Sequence, residues 1–155
     1  MDQPAQNSAV DAPEFRRRDW PFYWITQASA RYHQVMESRL KAKGLDIPRW
    51  RVLMSLYEDD WLSVSSIADA CIIKLNTATK IIQRMVADGL VVTRPSQTDK
   101  RATEVSLTAE GIRQRGIALA IAEEVRATAL ADLTPEDYKA LNTLLERIFD
   151  RMGQL

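Results

Sequence analysis

The sequence predicts a mainly α-helical fold that carries one small β-hairpin, and three observations predict it. Apolar residues recur at steps of three and four in several long segments, as the buried faces of helices require. After Gly89 that period breaks, and Leu90, Val91, Val92 and Thr93 form a β-rich run. Past the polar loop Pro95–Thr103, residues Glu104–Leu107 alternate polar Glu104 and Ser106 with apolar Val105 and Leu107, the pattern of a half-buried strand.

Taken in order, residues 1–15 hold two prolines and no periodicity, and are expected to form a disordered N-terminal tail. Residues 16–155 are expected to form a single domain. Asp19 stands as a helix cap with Pro21 near the first turn, and a long helix runs to about Lys43, where Gly44 stops it. Pro48 opens a second helix, Arg49–Asp59, with Trp50, Leu53, Met54 and Tyr57 on one side. Leu62–Val64 reads as a short edge strand. Ser63 or Ser65 then caps a brief helix through Ile67, Ala68 and Cys71. In the next helix Ala78, Ile81, Ile82, Met85 and Val86 share one face and pack inward, and Gly89 closes it as a left-handed cap. After the hairpin, Thr108 with Glu110 opens one helix, and Thr134 and Pro135, followed by Glu136 and Asp137, open the last. That last helix carries an apolar stripe of Leu141, Leu144, Leu145, Ile148, Phe149 and Met152.

The helix before the hairpin turns Asn76, Thr77, Thr79, Lys80, Gln83 and Arg84 outward. These are short polar or basic side chains able to hydrogen-bond base edges and phosphates in a major groove. The hairpin holds Arg94, Lys100 and Arg101 against a single acid, Asp99, and such a basic tip fits a minor groove. Each feature alone also fits a solvated surface. Their order of helix, glycine, strand, basic loop and strand is that of a winged helix-turn-helix, a known way of docking on a duplex. Ser65, on the supporting helix, joins the expected DNA contacts.

Charge agrees once its distribution is considered. The chain of 155 residues has 21 basic and 21 acidic side chains, yet Lys74–Arg101 holds six bases against two acids, while Glu104 to the end holds nine acids against six bases. The basic part coincides with the proposed reading surface, and the acidic remainder would repel the duplex and orient the protein. No apolar run approaches a membrane span, and the N-terminus reads as no secretory signal, so a cytoplasmic protein is expected. A lone cysteine, Cys71, makes no intramolecular disulfide. One histidine, His33, no glycine-rich phosphate loop and no Cys/His metal spacing argue against an enzyme, and no cofactor or metal is expected.

From about Trp20 to Phe149 the sequence resembles the MarR family of transcriptional regulators. The match is carried by Thr77, Thr79 and Lys80, by Arg84, Gly89 and Leu90, by Asp99 and Arg101 as a wing D-x-R, and by Leu107, Thr108 and Gly111. Lys100 stands where members commonly have Arg. The resemblance implies a homodimeric repressor on a pseudo-palindromic operator, with 16–45 and 108–155 as dimerisation helices around a winged helix-turn-helix at 48–107. It also implies that Arg101 enters the minor groove while Asp99 pairs with a basic side chain, here Arg84.

The family's effector pocket lies between the dimerisation helices and the winged domain, and the resemblance places Trp20, Tyr23, Trp24, Arg31, Arg49 and Trp50 there. Aromatic walls and guanidinium groups suit a flat anion, so the expected effector is a small aromatic carboxylic acid of the indole acetate, hydroxycinnamate or benzoate type. Two alternatives stand beside this reading. One is a thiol-based redox sensor through Cys71, which needs an exposed thiolate. The other is a dimeric interaction module without DNA binding, which predicts a neutralised wing.

Overall fold

The computed structural model describes residues 15–155, so the expected tail lies outside the described residues except for Phe15. A 3-10 turn at Arg17–Asp19, which contains the expected cap Asp19, precedes α1 (Pro21–Lys41). There follow α2 (Ile47–Ser55), β1 (Leu62–Ser63), α3 (Val64–Cys71), α4 (Leu75–Ala87), β2 (Val91–Pro95), β3 (Thr103–Leu107), α5 (Ala109–Ala129) and α6 (Pro135–Met152). The mainly helical fold with a small antiparallel sheet is the one the sequence predicts. The described chain divides into two units, the first ending at Gln34 and the second spanning Val35–Leu155.

In the second unit the sheet order is β1-β3-β2. Leu62 faces Val105 across the first pair, and Arg94 faces Glu104 across the second. The core gathers Met36, Leu40, Leu53, Ile67, Met85, Val91 and Val105, all essentially inaccessible to solvent. Helix α2 begins earlier than the expected Arg49 because Asp46 is its cap, accepting the Arg49 backbone N–H at 2.8 Å. It ends at Ser55, short of the expected Asp59, where Leu56 turns into the core and Tyr57 stays outside. Of the two candidate caps for α3, Ser63 is the one used: its Oγ accepts from the Ser66 N–H at 3.0 Å.

Thr108 ties the winged unit to α5. Its Oγ donates to the Gly89 carbonyl at 2.6 Å and accepts the Gly111 N–H at 3.0 Å, while its own N–H donates to the Leu90 carbonyl at 3.1 Å. Gly89 itself takes φ +72°, the left-handed closure expected of it. This contact brings the first turn of α5 so near the backbone that a Cβ on Gly111 would lie 2.0 Å from the Leu90 oxygen.

A candidate nucleic-acid interface

Helix α4 buries Ala78, Ile82 and Met85, and Ile81 is half-buried. Val86, expected on the inward face, is instead 42% exposed, because at 100° per residue it falls at the edge of the buried stripe. Asn76, Thr77, Lys80, Gln83 and Arg84 are all exposed. Among the described residues Lys80, Arg84 and Lys100 have no ion-pair partner, which leaves their charge available to a polyanion. Thr79 is half-buried, and its hydroxyl donates to the Leu75 carbonyl at 2.9 Å. The turn from α3 into α4 passes through Ile72 at φ +53°, an uncommon conformation for a β-branched residue.

The wing closes through the Ser96 N–H to the Ala102 carbonyl at 2.8 Å and the Ala102 N–H to the Asp99 carbonyl at 2.9 Å. At its tip the Arg101 side chain is 95% exposed. The carboxylate of Asp99 meets Arg101, not Arg84: Oδ1 accepts the Arg101 backbone N–H at 3.0 Å and lies 3.7 Å from its Nε. Asp99 therefore shapes the tip from within the loop, because a two-residue separation lets one carboxylate reach both the backbone and the guanidinium of Arg101.

Arg94 departs from the expectation of a free basic contact. Its Nε donates to Glu104 at 2.9 Å and its guanidinium carbon lies 3.8 Å from the centre of the Trp61 ring. Its charge is neutralised within the wing, so it acts on the wing's root. Sequence reasoning missed Trp61, Ser96 and Glu104. Glu104 was within reach, since it faces Arg94 once the hairpin is paired across Pro95 and Thr103. Trp61 was not, because only the pairing of β1 with β3 brings it there.

A groove of about 600 Å³ separates α4 from the wing and the start of α3. It brings Ser65, Thr79, Gln83, Asp99 and Arg101 of the expected DNA set to one place, above a floor of Val64, Leu75, Ile82 and Val86. Ser65 is exposed there, with its Oγ 2.9 Å from that of Ser63.

Of the expected effector residues, Trp20, Tyr23, Trp24 and Arg31 belong to the first unit. Tyr23 and Trp24 meet edge to face with centroids 5.0 Å apart. Arg17 lies over Tyr23 at 5.8 Å and Arg18 over Trp24 at 5.2 Å, and the Trp24 indole donates to the Arg18 carbonyl at 2.8 Å. Arg31 is exposed. Arg49 and Trp50 are differently engaged. Trp50 is 8% exposed within the core, and Arg49 pairs with Asp88 at the end of α4 and with Asp46 at 3.8 Å. An effector carboxylate would have to displace those acids to reach Arg49.

Cys71, at the end of α3, is 2% exposed. Burial pushes its thiol up, against smaller opposing effects of Arg51 and a hydrogen bond from Ser55, and both the burial and this direction run against the exposed thiolate a redox sensor needs. Among the described residues no helix is long and apolar enough to cross a membrane, and no group of three or more His, Cys, Asp or Glu could hold a metal ion.

The model of the MarR family matches residues 43–102, the span from the approach to α2 through the wing tip. The chain is 42% identical to the HTH-type transcriptional repressor IacR of Pseudomonas putida over 142 residues, which cover 92% of this chain and 85% of that protein. Among solved structures, a MarR-family transcriptional regulator from Silicibacter pomeroyi superposes with TM-score 0.81 at 19% identity, covering 91% of this chain and 95% of the other. BpsR of Bordetella bronchiseptica, whose DNA binding is regulated by 6-hydroxynicotinic acid, superposes with TM-score 0.71 at 21% identity, covering 82% of this chain and 96% of its own.

Proposed function

Because the chain belongs to the MarR family of transcriptional regulators, we propose that it is a homodimeric repressor that binds a pseudo-palindromic operator and is released from it by a small aromatic carboxylic acid. The observation that carries the DNA-reading part is the convergence of two free basic elements. Lys80 and Arg84 are exposed on α4, whose Thr79 and Gln83 line one groove with Arg101 of the wing tip, and among the described residues Lys80, Arg84 and Lys100 have no ion-pair partner while Arg101 has Asp99. Helix α4 enters the major groove, with Asn76, Thr77, Lys80 and Gln83 at base edges and phosphates, and Arg101 reaches the adjoining minor groove. Arg94 holds the wing in place.

The dimer rests on α6. It has no buried residue, yet Leu141, Leu144, Leu145, Phe149 and Met152 are all exposed along it. A second copy covers that face, and its two-fold axis sets two half-sites about one turn of DNA apart. The effector reading rests on the aromatic group Trp20, Tyr23 and Trp24 with Arg31 as carboxylate partner, and on an aromatic acid regulating DNA binding by BpsR. In this reading Arg49 and Trp50 serve structure: Arg49 links the start of α2 to the end of α4 through Asp88.

The test is binding of the purified protein to the DNA upstream of its own coding region, with and without a panel of aromatic acids. Tight, salt-sensitive binding that one acid abolishes is the expected result. Binding indifferent to every acid would remove the effector part and leave the DNA reading intact. Loss of binding on mild peroxide treatment, with Cys71 oxidised in the mass spectrum, would favour the thiol alternative instead.

A further inference from the structure

The recognition groove has an apolar wall that DNA reading by hydrogen bonds does not require. Leu75 is the first residue of α4, where helix-turn-helix proteins touch bases, and it is 56% exposed. Val86, three turns further on, is 42% exposed. Thr79 lies between them, and since its hydroxyl proton is given to the Leu75 carbonyl, the group it leaves free is its methyl. Positions 75, 79 and 86 fall on one line of the helix, and all three side chains border the groove. Core packing does not account for them, since their neighbours on the inward face are Ala78, Ile82 and Met85.

We propose that Leu75, Thr79 and Val86 are specificity residues that read thymine methyl groups in the major groove. The inference rests on the DNA-reading function and names what that surface prefers. The 5-methyl of thymine is the apolar mark on the major-groove edge of a base pair, so an apolar helix edge there distinguishes thymine from every other base. A protein partner is the competing occupant of an exposed apolar stripe. Gln83 and Arg101 line the groove beside the stripe, and Lys80, next to Thr79 on α4, has no ion-pair partner among the described residues, a charge that suits a polyanion.

The native protein is used to select its operator from a random duplex pool, and each thymine of that operator is then replaced by deoxyuridine, which removes the methyl and keeps the base pair. At least one replacement in each half-site weakens binding about fourfold, the factor that burial of one methyl group gives. Leu75→Ala loses the discrimination at one of these thymines and keeps it at the others. Thr79→Val, which retains the methyl, keeps the discrimination, whereas Thr79→Ser, which retains the hydroxyl and loses the methyl, reduces it. Far-ultraviolet circular dichroism verifies that each variant is folded.

Two results would overturn the proposal while leaving the repressor reading intact. One is an operator whose affinity no uracil replacement changes. The other is the reverse pattern at position 79, with Ser normal and Val impaired, which would assign the reading to the hydroxyl. Selection that returns no preferred sequence would overturn both the proposal and the DNA-reading function.

Discussion

The Arg94 guanidinium carbon lies over Trp61, 3.8 Å from the ring centre, while its Nε donates to Glu104 at 2.9 Å. Glu104 also accepts from the Ser96 hydroxyl at 3.0 Å, and Ser96 Oγ in turn accepts the backbone N–H groups of Thr98 and Asp99 at 3.3 and 3.4 Å. One carboxylate thus fixes the root of β2 and the first turn of the wing together. Trp61→Leu removes the ring face from this clamp and keeps an apolar side chain. It should weaken operator binding about three- to tenfold, the range expected from a partly desolvated cation–π contact, and fluorescence anisotropy would measure it. Unchanged affinity would mean that the wing holds its orientation without Trp61.

How much of this was legible in the sequence follows from the range of each interaction. Helix α4, its Gly89 closure and the Thr108 cap rest on spacings of a few residues, and the sequence marks them. The Thr134–Asp137 capping box of α6 is equally local. The exposed groups of the DNA set are legible for the same reason, because an outward helix position needs no knowledge of the rest of the fold. Partnerships across the fold were not. Arg94 looks like a free cation until β3 brings Glu104 opposite, and Arg49 looks like a ligand group until α4 ends beside it at Asp88. Asp99 has several cations within reach in sequence, and only the loop's backbone selects Arg101.

Salt dependence separates the roles of two cations. Lys80 is an exposed point charge on α4 without an ion-pair partner among the described residues. Lys80→Ala should weaken binding to all sequences and lower the slope of log K against log salt by about 0.9 if it meets one phosphate. Arg101→Ala should reduce operator affinity about tenfold or more, with the unfolding temperature unchanged because the side chain is 95% exposed. A titration series between low and moderate salt measures both, and equal slopes for Lys80→Ala and the native protein would remove Lys80 from the phosphate contacts.

Two glycines of α5 should respond in opposite directions. At Gly111 an added Cβ would meet the Leu90 oxygen at 2.0 Å, with the Leu107 side chain 3.2 Å away on another side. Neither can yield without moving the Thr108 junction, so Gly111→Ala should cost about 2–3 kcal/mol of stability. At Gly116 nothing lies within 4 Å of the added atom, and Gly116→Ala should stabilise the helix by about 0.5–1 kcal/mol. Chemical denaturation of the two variants beside the native protein checks both signs. A neutral Gly111→Ala would show that the junction between the wing and α5 is plastic.

In the proposed dimer the outward face of α6 is the contact between the two copies. Leu144 is 53% exposed and Phe149 67%, on a helix whose start is fixed by a capping box and two first-turn acids. Apolar groups held so regularly in solvent raise the free energy of a lone subunit, and pairing with a second copy removes them from water. Leu145→Glu places a charge in the middle of that stripe, so light scattering should give a dimer mass for the native protein and a monomer mass for the variant. Its operator affinity should fall about 100-fold or more, because two tethered half-site contacts become one. A variant that stays dimeric would locate the interface off α6, and a monomeric native protein would leave the pseudo-palindromic operator without the symmetry that explains it.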